Sequence, residues 1–571
     1  MAKSEEESQD RLVAKDAAFP SIIMMPGQTA VSRRGFLVLG ALSGAALVAA
    51  ACGQAVQSLT PGQSQSAPGQ PSSSTAPSAQ PSASPSPAAA TPKVGGTLRV
   101  GAVKPSTSFD PLTMADAAPI MSIQQVVEYL VMVGPDNNVV PSLAESWTPD
   151  STAKNWTFNI RKNVQFNNGQ PLTADDVVAS FERVLDPAAN SGALTALTGL
   201  LSKGHTERVD DHTVIFHLDS SFVDFPYMIS PANYNAVILP KNYDGKWSAN
   251  PVGTGPYEMT NYAPTQSVSL KKRAGYWGTA PYVDDIEITF FDDSKAEALA
   301  IQGGSIDIAI DVDASLYKDQ TLVLVEGKSS GYYSLNMRVD RTPFTDKRVR
   351  QAVAYCLDRP ALIQGVLQGK GLVANDHHWA PVYPVQPIGI SQRSQDYAKA
   401  KQLLSDAGMP NGFSATLTVD DEPGVPDYAV LIKQMCAPAG IDLKIAQMPS
   451  AQFYGSGNDQ PWLQADMTVV TWGGRPVPEQ AIQASTVCGA VWNSAHYCNK
   501  DFDKLMQQYA ATLDQSTRVS LASQAAAIEW DEVPAVISFF NNFLQCTTTK
   551  VHGLAPTVVG NIVLTGVWLD A

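Results

Sequence analysis

The sequence predicts an α/β fold. Segments with strand-like alternation, such as Trp156-Thr157-Phe158-Asn159-Ile160 and Ile306-Asp307-Ile308-Ala309-Ile310, are interspersed with segments of helical apolar spacing, such as Val177, Phe181 and Val184. Behind a polar N-terminal region, Val94–Ala571 leaves 478 residues, two or three domains' worth of chain with ample core.

The N-terminal region comes first. Residues 1–31 are polar, with Met24 and Met25 as alternative starts. Arg33 and Arg34 form a basic flank to the apolar run Phe36–Ala51, whose 16 residues are too few to span a bilayer, which takes about 20. Ser32-Arg33-Arg34-Gly35-Phe36-Leu37 resembles the twin-arginine export signal. The small residues before Cys52 resemble a lipobox, in which that cysteine is lipidated; Ala49 stands where Leu or Val is usual. Residues 1–52 are thus expected to be a lipoprotein signal peptide. Residues 53–93 are rich in Ser, Pro, Ala and Gln and cannot bury enough apolar surface to offset their ordering entropy, so a disordered tether is expected. Its coil dimension would be on the order of 35 Å.

The body follows. Gly95-Gly96-Thr97-Leu98-Arg99-Val100-Gly101 reads as a strand after a glycine entry. Pro119 suits the first turn of a helix in which Ile120, Ile123, Val127 and Leu130 share a face. Thr173 is a helix N-cap, with Asp175 and Asp176 favourable in the first turn. Gly253, Gly255 and Pro256 suit a tight turn into a strand at Tyr257. Ala298–Gln302 is a helix ending at Gly303-Gly304. Asp346 is a further N-cap, ahead of Val349–Tyr355.

Composition excludes several functions. The formal net charge of −15 argues against nucleic acid as a partner. No phosphate-binding glycine loop, no zinc-type cysteine pairs and no Ser/His/Asp or paired-carboxylate arrangement is recognisable, so no cofactor and no catalytic residue is expected. The adjacent His377 and His378 are not at metal-ligand spacing, and no metal is expected. With Cys52 assigned to lipid, five cysteines remain. Cys488 and Cys498, ten apart across a loop-like stretch, are the disulfide candidates. Cys356 reads as a small buried hydrophobe, and Cys436 with Cys546 is an open alternative pair.

The collinear set Gly95–Gly101, Leu143-Ala144-Glu145-Ser146-Trp147, Trp156–Arg161, Val164–Val177, Gly253–Tyr257, Gly275-Tyr276-Trp277, Pro343–Ala352 and Leu357-Asp358-Arg359 resembles the peptide/nickel class (family 5) of extracytoplasmic solute-binding proteins that serve ABC importers. The resemblance spans Val94–Ala571. It implies a two-lobed periplasmic-binding-protein type II fold (class C), with an extra subdomain and a two-crossover hinge. The implied parts are 94–130, 252–328 and 531–571 for lobe I, 131–251 for the extra subdomain and 329–530 for lobe II. The chain would cross between lobes near Ser329 and near Trp530.

The resemblance also implies a site. In the family, the loop matching Trp472-Gly473-Gly474-Arg475 lies in the cleft and its tryptophan packs on ligand. An aspartate after that tryptophan holds the α-ammonium of bound peptides; its position here is Arg475, which pairs with a carboxylate or phosphate instead. The alternative is that Arg475 pairs with an acid such as Glu479. Tyr332, Tyr333, Phe539 and Asn541, near the crossovers, are further ligand-binding candidates, with core packing as their alternative. The expected function is that of a lipid-anchored, monomeric, non-enzymatic receptor on the outer face of the cell membrane. It would pass a peptide or other small amphipathic solute to ABC permease subunits. Alternatives are an opine, sugar or nickel-chelate receptor on the same fold, and a sensory lipoprotein outside transport.

Overall fold

The computed structural model describes residues 91–570, apart from 318, 320 and 456–459. The signal peptide, Cys52 and nearly all of the tether lie outside the described residues.

An eleven-stranded sheet runs through both lobes. On one side, Thr97–Val103 lies between Ile308–Ala309 and Asp285–Phe291, parallel to both. Ser267–Lys272 and Tyr257–Ala263 continue the sheet antiparallel. The helix Ser294–Gln302 makes the crossover between Asp285–Phe291 and Ile308–Ala309 and stops at Gly303, as its glycines foretell. On the other side, Phe413–Val419 pairs parallel with Ile441–Gln447 and Met467–Trp472.

Two long antiparallel strands, Leu322–Met337 and Ala535–Thr548, join the halves. Their register breaks between Gly327, opposite Phe543, and Gly331, opposite Asn541. That break contains Ser329 and Ser330. The helix Gln515–Glu532 runs through Trp530, and Phe539–Asn541 still pair with the second-lobe strand Gly371–Val373. Only at Cys546 and Thr547 does the strand reach first-lobe Ile308–Ala309. Apolar burial holds it back, because Val533, Val536 and Phe539 are fully buried in the second-lobe core.

A four-stranded antiparallel sheet carries Asn155–Ile160 at its centre, with Trp156, Phe158 and Ile160 buried as the alternation requires. The helix Ala174–Val184 covers it, and its first turn is tied by Thr173 N donating to the Asp176 carboxylate at 2.8 Å. The helix expected over Ile120–Leu130 is shorter, Ala117–Gln124. The reason is tertiary. Gly255 N donates to Val126 O at 2.8 Å and Tyr257 N to Gln125 O at 3.1 Å, so these carbonyls bond across the fold. The approach is so close that a Cβ on Gly253 would fall 2.0 Å from Val126 O.

Cys488 and Cys498 are disulfide-bonded, their Cα atoms 4.3 Å apart. Cys356, Cys436 and Cys546 are buried free thiols. Cys436 does not pair with Cys546; its thiol interacts with that of Cys356 inside the second lobe. No helix among the described residues is long and apolar enough to cross a membrane.

Candidate functional site

The strand Met467–Trp472 ends at the loop the sequence singles out. Strand pairing sets Trp472 opposite Tyr332. The two rings stack with centroids 5.9 Å apart and planes 9° apart, and Trp472 Nε1 donates to Ser334 Oγ at 3.1 Å. Trp492 packs on the other edge at 6.0 Å. Behind this platform a cavity with room for about one water is lined by Ser334, Asn336, His378, Ser485 and Thr486. His378 is buried and its Nδ1 bonds Glu529, so the His377–His378 pair serves packing in the second lobe.

The loop beyond Trp472 is fixed by its backbone. Ser330 Oγ accepts from Arg475 N at 2.7 Å and donates to Arg475 O at 2.6 Å. Ser330 sits in the register break of the first hinge strand, so the loop is fastened to the hinge itself. Gly474 is required by contact, since a Cβ there would lie 2.6 Å from Ser329 Oγ and 2.8 Å from Val558 O. Asn541 joins this region. Its amide flanks Gly331, where a Cβ would meet both Asn541 Oδ1 at 3.0 Å and Trp472 O at 3.1 Å.

Tyr333 and Phe539 do not join the site. Alternation along a strand sends neighbours to opposite faces. Tyr332 faces Trp472, so Tyr333 faces the second-lobe core, 5.4 Å from Phe539 and 5.7 Å from Tyr428. On the other hinge strand the residue on the site face is Phe540, 6.1 Å from Tyr332. The same period-two rule, applied once a single face had been assigned, would have picked Phe540 over Phe539.

Arg475 is half-buried, and its guanidinium makes no hydrogen bond or ion pair among the described residues. It acts electrostatically on the phenols of Tyr234, Tyr332 and Tyr383. Burial pushes the Tyr332 and Tyr383 hydroxyls above the ordinary phenol range, so both remain neutral. Tyr234 precedes the first hinge strand and packs against the first core, whereas Tyr332 and Tyr383 belong to the second lobe. Arg475 is thus within electrostatic reach of residues packed on both cores.

Glu479 is not its partner. Glu479 Oε1 accepts from Arg518 Nη2 at 3.2 Å, and Arg518 also pairs with Asp224. Burial raises the Glu479 carboxyl well above its usual range; the Asp224 charge adds to this and Arg518 opposes it. Asp224 lies beside Phe225 and Tyr227 of the first core, so the triad ties the lobes together. More links follow. Asn137 Nδ2 donates to Pro476 O at 2.8 Å, Val223 N donates to Ala510 O at 2.8 Å, and Val477 is buried in the first core. The two parts of the body are thus in contact at Pro476, Val477, Ala510 and Arg518.

The model for bacterial extracellular solute-binding proteins, family 5 Middle, matches residues 138–493. The chain belongs to this family. The Dipeptide-binding protein of Escherichia coli (strain K12) is 28% identical to this family 5 protein over 493 residues, covering 78% of the chain and 89% of the relative. The Glutathione-binding protein GsiB of Shigella dysenteriae serotype 1 (strain Sd197) is 27% identical over 452 residues, 75% of this chain and 86% of that one. The solved ABC transporter-associated periplasmic binding protein DppA from Helicobacter pylori, in complex with peptide STSA, matches with a TM-score of 0.65 at 24% identity, over 84% of this chain and 99% of its own. The family 5 protein thus has the two-lobed type II fold.

Proposed function

We propose that this family 5 protein is a lipid-anchored receptor of an ABC importer that captures a peptide or another small amphipathic solute between its lobes. The observation that carries this reading is the Trp472–Arg475 loop. A stacked aromatic platform and a guanidinium with no hydrogen-bond or ion-pair partner among the described residues are fastened by Ser330 to the long strand Leu322–Met337. Such a loop couples occupancy to closure, because a solute bridging both lobes favours the closed state by its extra contacts there. Trp472 and Tyr332 form a buried aromatic wall behind the loop, and Asn541, Gly473 and Gly474 bring amide and backbone groups to it. Binding needs no covalent step, and the site is read as non-enzymatic. The peptide class is supported by the likeness to the Dipeptide-binding protein of Escherichia coli. Arg33, Arg34 and Cys52 supply the export signal and the anchor, which would hold the monomeric receptor beside its permease on the outer face of the membrane.

The test is mass spectrometry of small molecules released from the full-length protein purified from its own membranes. A peptide or other amphipathic solute is expected. Retention of no small molecule, together with unchanged solute uptake after deletion of the gene, contradicts the reading. A second reading, a non-peptide solute on the same fold, is favoured by Arg475 standing where peptide binders place an acid.

A further inference from the structure

We infer that Arg475 selects the ligand by charge: the solute carries a carboxylate, and that group, rather than an ammonium, is seated at the Trp472–Arg475 loop. The inference rests on the receptor reading and narrows its substrate class.

Three observations carry it. First, the guanidinium is half-buried at the lobe junction and has no hydrogen-bond or ion-pair partner among the described residues. A guanidinium presents a planar fork of donors that matches a carboxylate bidentately, and it repels an ammonium. Second, the nearest acid in sequence is taken. Glu479 is turned away into the triad with Arg518 and Asp224, where its Oε1 accepts from Arg518. Third, the groups that Arg475 influences from both lobes, Tyr234, Tyr332 and Tyr383, are neutral phenols. They can hydrogen-bond an anion and supply no negative charge of their own. The cation is thus held on a rigid loop, in a setting that lowers the local dielectric when the lobes close, with its counter-charge left for the solute to provide.

Ser330 grips only the backbone of residue 475, so the side chain can be replaced without releasing the loop. The experiment titrates full-length wild type, Arg475→Lys and Arg475→Met with two peptide pools. One is of N-acetyl dipeptides with free carboxyl termini, the other of dipeptide amides with free amino termini. Melting temperature reports whether each variant is folded. The expected result is that wild type binds the N-acetyl pool and not the amides. Arg475→Met should lose about tenfold to a hundredfold in affinity for the N-acetyl pool, the span of a charge-assisted hydrogen-bonded contact. Arg475→Lys should fall between, since it keeps the charge and loses the fork. Equal binding of amides by wild type, or unchanged affinity in folded Arg475→Met, overturns the charge assignment and leaves the receptor reading standing. Binding of neither pool by wild type counts against the peptide reading itself and overturns the inference with it.

Discussion

Arg518 and Asp224, the latter beside Phe225 of the first core in the span expected for the extra subdomain, form a buried ion pair. Arg518 Nη1 donates to Asp224 Oδ1 at 3.2 Å and Nη2 bonds Oδ2, while Glu479 completes the triad from the helix that follows the Trp472 loop. Arg518 also packs over the Tyr509 ring at 4.2 Å. Glu479 opens the helix that follows the Trp472–Arg475 loop, so the pair is linked to that loop.

Arg518→Met should therefore favour the open form. It leaves Asp224 and Glu479 buried without a counter-charge, which costs the closed state about 3–5 kcal/mol. Small-angle scattering should show a larger radius of gyration for the variant, and ligand affinity should fall with it. Asp224→Asn added to Arg518→Met should recover part of the loss, because removing both partners is milder than orphaning one. An unchanged radius and affinity in Arg518→Met would show that the triad does not hold the lobes.

Glycine substitutions should separate folding from binding. Gly253→Ala puts a Cβ 2.0 Å from a backbone carbonyl of the first lobe, and no side-chain movement relieves it. It should fail to fold or melt far below wild type. Gly474→Ala meets a movable Ser329 hydroxyl and the Val558 carbonyl. It should cost about 1–3 kcal/mol of stability, the usual range for overpacking, and should weaken ligand binding more than it lowers the melting temperature. Paired thermal melts and titrations check both.

Trp472→Phe should keep the stack on Tyr332 but lose the Nε1 donation to Ser334, for a stability cost of about 1 kcal/mol. Trp472→Ala removes the platform and should cost about 3–5 kcal/mol, as large-to-small changes at buried aromatics do. Urea unfolding of the two variants gives both numbers.

Glu128 should make stability depend on pH. Burial raises its carboxyl to about 7, although Tyr276 and Trp277 donate to it at 2.7 and 2.8 Å and oppose the shift. A folded-state value above the unfolded one means that the folded protein binds the extra proton. Its contribution is then fully present below about pH 4.5 and is lost as pH rises through about 7. Over that window the wild type should lose up to about 3 kcal/mol relative to Glu128→Gln. Denaturant unfolding at a series of pH values checks this, and parallel pH profiles for the two proteins would contradict it.

What could be read from the chain alone divides along a physical line. The strand alternation at Trp156–Ile160, the cap at Thr173 and the glycine stop at Gly303 are local preferences, and each survives in the fold. The Ile120–Leu130 helix was overstated because Gly255 and Tyr257 arrive from far along the chain and capture its carbonyls. At the site, the Trp472–Arg475 loop was legible from motif order and residue chemistry. Tyr333 and Phe539 were misplaced because adjacent aromatics on a strand look alike until one face is fixed. Ser330 carried no signal at all: a serine becomes a clamp only when a register break turns its hydroxyl toward the residue-475 backbone. Asp224 and Arg518, 294 residues apart, could not have been paired without the fold.

The central claim is that solute binds between the lobes against the Trp472–Arg475 loop. A crystal structure of the full-length protein with its co-purified solute tests it most directly. The account predicts ligand density between Trp472 and Tyr234, with an anionic group within hydrogen-bond distance of the Arg475 guanidinium and the Asp224–Arg518 pair intact. Ligand density elsewhere on the protein, or a bound solute that leaves Arg475 without contact, would contradict it.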